Sequence, residues 1–210
     1  MLQSSAYTDT LELLNIRQAH VVGHSMGGKI AATLALSYPG KVQSLAILDI
    51  SPVEYTEDEL SSVTNTVHFL QRSKNDLSRA RRKEEVKEIF SQLTKDSALQ
   101  AFLSSNLLPI EDIDGIVGYR WKYNVDAIVD GMKNILDFPV GNQIYNGPTV
   151  VLKAGNSDFV KTKHVDRIKT LFPNYRLATV RGCGHWLHAE KTLETADMLR
   201  RFIEFANIKK

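Results

Sequence analysis

Short apolar runs, each followed by a loop and then by apolar residues three and four apart, recur along this chain. Ala19–Val22 is the first, and after it the segment 29–38 sets Ile30 and Leu34 four apart among alanines before Pro39-Gly40 stops it. Leu45–Leu48, Thr149–Leu152 and Tyr175–Val180 repeat the run, and beyond the last of these Leu193, Ala196, Leu199, Phe202 and Ile203 recur at helical spacing. Unbroken apolar runs suit strands buried on both faces, and their alternation with amphipathic helices predicts an α/β fold with a mostly parallel sheet. Upstream of Ser25, Leu11–Leu14 and the polar stretch around it leave room for one helix and one strand.

The junction of the first run with its helix carries the chemistry. Val21 to Gly28 reads V-V-G-H-S-M-G-G, a G-x-S-x-G pentapeptide between a strand pattern and a helix pattern. A serine whose Oγ projects from a sharp strand-to-helix turn needs a strained backbone and small neighbours, which makes Ser25 the candidate nucleophile and assigns Gly23 and Gly27 the task of providing room. The N–H of Met26, one residue on, is the candidate oxyanion donor.

A serine hydroxyl needs a general base, itself oriented by a carboxylate. His185 lies in R-G-C-G-H-W, directly after the strand-like run Tyr175–Val180, at the strand end where catalytic groups sit in open parallel sheets. Of the other histidines, His24 lies inside the turn, His20 in the strand, His68 and His164 in helical, polar surroundings, and His188 reads as a helix-start surface residue. Cys183, His185 and His188 do not make a metal site, because zinc needs three or four converging ligands and no second Cys/His cluster completes the set. For the acid three aspartates compete. Asp49 ends the strand after the nucleophile helix, and a right-handed crossover puts that strand beside the serine's own. Asp158 follows the run Thr149–Leu152 and Gly155, and Asp126 stands behind an Asn124 helix cap.

Between Pro52 and Phe138 the strand-and-helix rhythm gives way to a mostly helical, amphipathic pattern. The expected organisation is a core of residues 1–52 and 141–210 interrupted by a helical lid, 53–140, inserted over the strand ends above Ser25. Phe69, Phe90, Phe102, Leu107 and Leu108 are its candidate packing and pocket residues. Composition adds little: 210 residues, 43% hydrophobic, net charge +2. The densest basic run, 79–83, is followed at once by Glu84, Glu85 and Glu88, with Val86, Ile89, Phe90 and Leu93 at helical spacing, so it reads as a solvated helix face rather than a nucleic-acid patch. One cysteine allows no internal disulfide, and no apolar stretch reaches membrane-span length.

Five blocks in order, G-H-S-M-G-G-K from Gly23, L-D-I-S-P-V from Leu48, W-K-Y-N-V-D-A from Trp121, G-N-S-D-F-V from Gly155 and G-H-W-L-H-A-E from Gly184, resemble the α/β-hydrolase group that includes mitochondrial ABHD11-type hydrolases, YbfF-like esterases and yeast ethanol acetyltransferases. The esterase and acetyltransferase branches imply Asp49 as the triad acid, and the ABHD11-type branch implies Asp126. The resemblance implies a Ser25, Asp49, His185 ester or thioester hydrolase with alcohol acyltransferase potential, no cofactor, and small-molecule substrates that include acetyl-CoA and an alcohol. It implies a mitochondrial location, although no targeting segment is evident at Met1; the location is otherwise cytoplasmic. Members of the group carry further strands and a His-Gly loop before the turn, so the chain reads as an α/β-hydrolase fold without its N-terminal strands. The rival expectation is a catalytically impaired fragment that needs those strands.

Overall fold

In chain order the elements are α1 (Leu2–Leu13), β1 (Ala19–His24), α2 (Met26–Ser37), β2 (Val42–Leu48), α3 (Ser61–Arg72), α4 (Lys74–Leu77), α5 (Lys83–Ser91), α6 (Ser97–Ser105), β3 (Leu107–Asp112) and β4 (Gly115–Trp121). They continue with α7 (Val125–Asp130), α8 (Met132–Leu136), β5 (Thr149–Ala154), α9 (Val165–Leu171), β6 (Tyr175–Val180), α10 (Leu187–Glu190) and α11 (Thr192–Ile208). This computed structural model describes residues 2–138 and 140–208, so Met1 and residues 209–210, the ends of the expected core, lie outside the described residues. The chain divides into two compact units, residues 1–55 with 137–210 and residues 56–136.

The first unit is built on a parallel sheet of order β1-β2-β5-β6. The apolar runs of the sequence are its strands, and burial on both faces holds for the central pair β2 and β5, where Leu45, Ala46, Ile47 and Leu48 are all buried, whereas β1 and β6 leave Val22 and Leu177 exposed. Against the sheet, α11 contributes Phe202 with the partly buried Met198, Leu199 and Ile203 to a core formed by Ala46, Leu48, Val150, Leu152, Ala154 and Val180. Two expected members of that helical stripe fall outside it, since Leu193 is 86% exposed and Ala196 is exposed too. Leu193 precedes Phe202 by nine positions, about 900° around the helix at 100° per residue, which puts it on the opposite side. Thr195, Phe202 and Ala206 mark the true buried face.

In the second unit the expected helical pattern holds for α3, α5 and α6, whose Phe69, Leu70, Val86, Ile89, Phe90 and Leu103 form a core with Trp121 and Val125. Phe102, however, is 49% exposed. Leu107 and Leu108 depart from the mostly helical expectation: they lie on β3, paired antiparallel with Trp121 and Arg120 of β4. Pro109 lacks the N–H that a helix needs there, and the Asp112 carboxylate turns the chain by accepting the Asp114 N–H at 2.9 Å. Gly115 then takes φ 116, a conformation that side-chain-bearing residues rarely adopt.

Candidate active site

Register delivers the first two groups together. β1 pairs with β2 so that His24 faces Leu48, and the Ser25 N–H continues the ladder by donating to the Leu48 carbonyl at 3.0 Å. Ser25 and Asp49 therefore leave adjacent parallel strands at the same level. Both bend away with left-handed backbones, φ 54 at Ser25 and φ 47 at Asp49. Ser25 is the N-cap of α2, with ψ −125, a region that costs about 1–3 kcal/mol for a residue with a side chain.

The glycines make this turn possible, but not in the expected pairing. A Cβ at Gly23 would come within 2.2 Å of the Gly27 carbonyl oxygen, and one at Gly28 within 2.5 Å of Ile50 Cγ2, whereas one at Gly27 would meet nothing within 4 Å. Room comes from Gly23 and Gly28. Gly27 points its missing side chain to open space because the turn folds its main chain, not its α-carbon, against Gly23.

Asp49 is fully buried and accepts from three donors: the Ala154 N–H at 2.9 Å on Oδ1, and the Ser157 hydroxyl at 2.5 Å and His185 Nδ1 at 2.9 Å on Oδ2. Since the carboxylate accepts, His185 carries its proton on Nδ1, and Nε2 is left to accept from the Ser25 hydroxyl at 2.9 Å. The loop that holds His185 is tied to the turn after β5 through the Asn156 N–H, which donates to the Cys183 carbonyl at 2.9 Å, and to α10 through the Gly184 N–H, which donates to Glu190 Oε2 at 2.9 Å. Met26 is the first residue of α2, a position whose N–H has no acceptor within its own helix.

The other candidates have surroundings of their own. Asp158 is exposed on the loop after β5, and Asp126, in the second unit, is exposed and paired with Lys74 at 2.6 Å. His68 is exposed on α3, His188 is exposed on α10, and His20 bonds Ser44 Oγ at 2.7 Å. His164 is buried, with Nδ1 2.9 Å from Ser51 Oγ. Among the described residues no group of three His, Cys, Asp or Glu could hold a metal ion.

Two neighbours, Ser157 and Lys29, escaped sequence reasoning, and a third, His24, was expected inside the turn but not against His185. Ser157, beside the expected Asp158, points at Asp49 instead, and only its place in the G-N-S-D block hinted at it. His24 donates from Nε2 to the His185 carbonyl at 2.8 Å, and burial lowers its pKa from 6.5 to about 4, so it stays neutral. Lys29 is buried, its ammonium donating to the Asp137 carbonyl at 3.0 Å over the face of Tyr55, and desolvation lowers its pKa from 10.5 to about 8.

With this geometry in hand, comparison with known proteins is direct. Residues 4–192 match the family described as alpha/beta hydrolase fold. The chain belongs to this family. This α/β hydrolase is 33% identical over 184 residues to mouse "sn-1-specific diacylglycerol lipase ABHD11", covering 87% of this chain and 58% of that protein. It is 28% identical over 198 residues to "Esterase YbfF" of Escherichia coli, covering 93% of this chain and 71% of the relative. Among solved structures, "Marine microorganism esterase" superposes with TM-score 0.85 at 29% identity, over 95% of this chain and 75% of that one. The α/β hydrolase chain thus spans about six tenths of the length of the vertebrate ABHD11 relatives it matches. Among its described residues no helix is long and apolar enough to cross a membrane.

Proposed function

We propose that the chain is a serine esterase of the α/β-hydrolase type, working through an acyl-enzyme on Ser25. The observation that carries this reading is the unbroken line Asp49 Oδ2, His185 Nδ1, His185 Nε2, Ser25 Oγ, each link 2.9 Å. His185 takes the Ser25 proton as Oγ attacks the ester carbonyl, and returns it to the departing alkoxide. Asp49 holds the imidazole in the productive tautomer and offsets the positive charge that forms on it. The Met26 N–H donates to the oxyanion, supported by the positive end of α2. Water then takes the acyl group from the serine by the same steps in reverse, and an alcohol that outcompetes water there receives it as a new ester. The esterase and lipase names of the relatives support the substrate class.

A fluorophosphonate probe tests the assignment. Peptide mapping of folded protein finds the label on Ser25, and Ser25→Ala takes up none; label on another residue of the folded chain refutes it. Hydrolysis of p-nitrophenyl acetate, run with and without added ethanol and assayed for ethyl acetate, separates water from alcohol as the acceptor.

A further inference from the structure

Two in-plane hydrogen bonds hold the ends of the His185 imidazole, but they leave the ring free to tilt about the line that joins them. A flat surface on the ring face removes that freedom, and the structure supplies one. The Phe159 ring lies on the His185 imidazole with centroids 3.8 Å apart and planes inclined by 12°. His24 approaches the same imidazole with centroids 4.6 Å apart at 41°, and bonds the His185 carbonyl.

Phe159 is itself held by its main chain. Its N–H donates to Ser157 Oγ at 3.3 Å, and Ser157 in turn donates to Asp49. Its carbonyl has two hydroxyls near it, those of Tyr55 and Ser51. Ser51 has one proton and a better acceptor: His164 Nδ1 lies 2.9 Å away, against 3.4 Å to the Phe159 carbonyl. The same Nδ1 accepts from the Lys161 N–H, so it carries a lone pair and the Ser51 proton goes there. Tyr55 is thereby the donor to Phe159. Its hydroxyl accepts the Ser51 N–H at 2.8 Å, and its ring meets His164 edge-on. One residue on, the Val160 carbonyl takes the Lys153 ammonium at 2.8 Å.

We propose that Phe159 is a positioning residue for His185, anchored by the Tyr55 hydroxyl. Its ring fixes the tilt of the imidazole between Asp49 and Ser25, and its electron-rich face stabilises the imidazolium that exists only while the serine proton is in transit. Because that benefit falls on the transition state, it appears in kcat and not in KM. The inference rests on the reading of Ser25 and His185 given above.

The full chain carrying Phe159→Leu, Phe159→Tyr or Tyr55→Phe is assayed on p-nitrophenyl acetate, with thermal unfolding and the low-field proton NMR signal of the His185 Nδ1–H recorded on the same samples. Phe159→Leu lowers kcat about tenfold, the reach of a desolvated cation–π contact, with KM unchanged and the low-field signal broadened. Phe159→Tyr restores kcat to within about twofold, because the π face returns. Tyr55→Phe falls between, since it frees the anchor and keeps the ring. If Phe159→Leu loses cooperative unfolding, Phe159→Met takes its place with the same expectations. A Phe159→Leu enzyme with wild-type kcat overturns the proposal, and so does one in which only KM rises, which would make Phe159 a substrate contact. Wild-type protein that hydrolyses nothing and takes no fluorophosphonate refutes the esterase reading instead; the NMR signal, which needs no turnover, then decides the positioning role alone.

Discussion

At Asp49, four atoms of chemistry depend on where one carboxylate sits, and the competing aspartates differ from it by environment. Asp49→Asn cannot hold the Nδ1–H tautomer, so kcat falls by about 10⁴, as for triad aspartates elsewhere. Asp158→Asn and Asp126→Asn, both exposed, stay close to wild type, and steady-state kinetics of the three variants checks the order. His24 offers a second test through linkage. Its folded pKa of about 4 lies below its ordinary 6.5, so below pH 6.5 the unfolded chain binds a proton that the folded chain refuses. His24 therefore costs stability progressively as pH falls from 6.5 to 4. Chemical denaturation at a series of pH values shows this slope as the difference between wild type and His24→Gln. Identical slopes in that window would disprove a neutral, half-buried His24.

For the turn between β1 and α2, element geometry separates glycines that look alike in sequence. Gly23→Ala drives a Cβ into the Gly27 carbonyl and costs about 1–3 kcal/mol or prevents folding. Gly27→Ala meets open space and removes a flexible residue from a helix, with stability unchanged or higher by up to about 1 kcal/mol. Denaturant midpoints of the two variants test the contrast. The β3–β4 hairpin has a similar hinge point: Gly115→Ala forces a side chain onto φ 116, at about 1–3 kcal/mol. That hairpin was legible in hindsight, from Pro109, from Asp114-Gly115 and from the β-branched and aromatic residues Ile116, Val117, Tyr119 and Trp121. The surrounding helical amphipathicity masked it, because a short strand gives too few positions for its alternation to stand out.

Across the whole molecule, each unit has a core of its own. Phe90, fully buried beside Phe69 and Trp121, is a principal element of the second unit's core, and Phe90→Ala costs about 3–5 kcal/mol. The first unit carries its electrostatic burden at Lys29. With a folded pKa of about 8 against 10.5 unfolded, this lysine is bound to fewer protons in the fold than in the open chain between those values. Stability at this site therefore rises as pH climbs from 8 towards 10.5, and the cost is fully present below pH 8. Lys29→Met removes the slope in that window and leaves the neutral-pH stability equal or higher, which denaturation at pH 7, 8, 9 and 10 checks.

By itself the sequence determined the parallel strands and the helices after them, and marked Ser25 and His185 as candidates, because each of these depends on local periodicity or on a motif bounded by its own strand and helix. The adjacency of β1 and β2 was expected from a right-handed crossover, which made Asp49 a neighbour of Ser25. Only the tertiary structure brings one of the three aspartates, Asp49, to His185 Nδ1, because that depends on strand register and on a contact between residues 136 positions apart. It likewise decided that Gly28 rather than Gly27 makes room, that Leu193 faces water, and that Ser157, His24 and Phe159 surround the imidazole. No local pattern marks such residues, since what they do is fixed by side chains brought to them from distant parts of the chain.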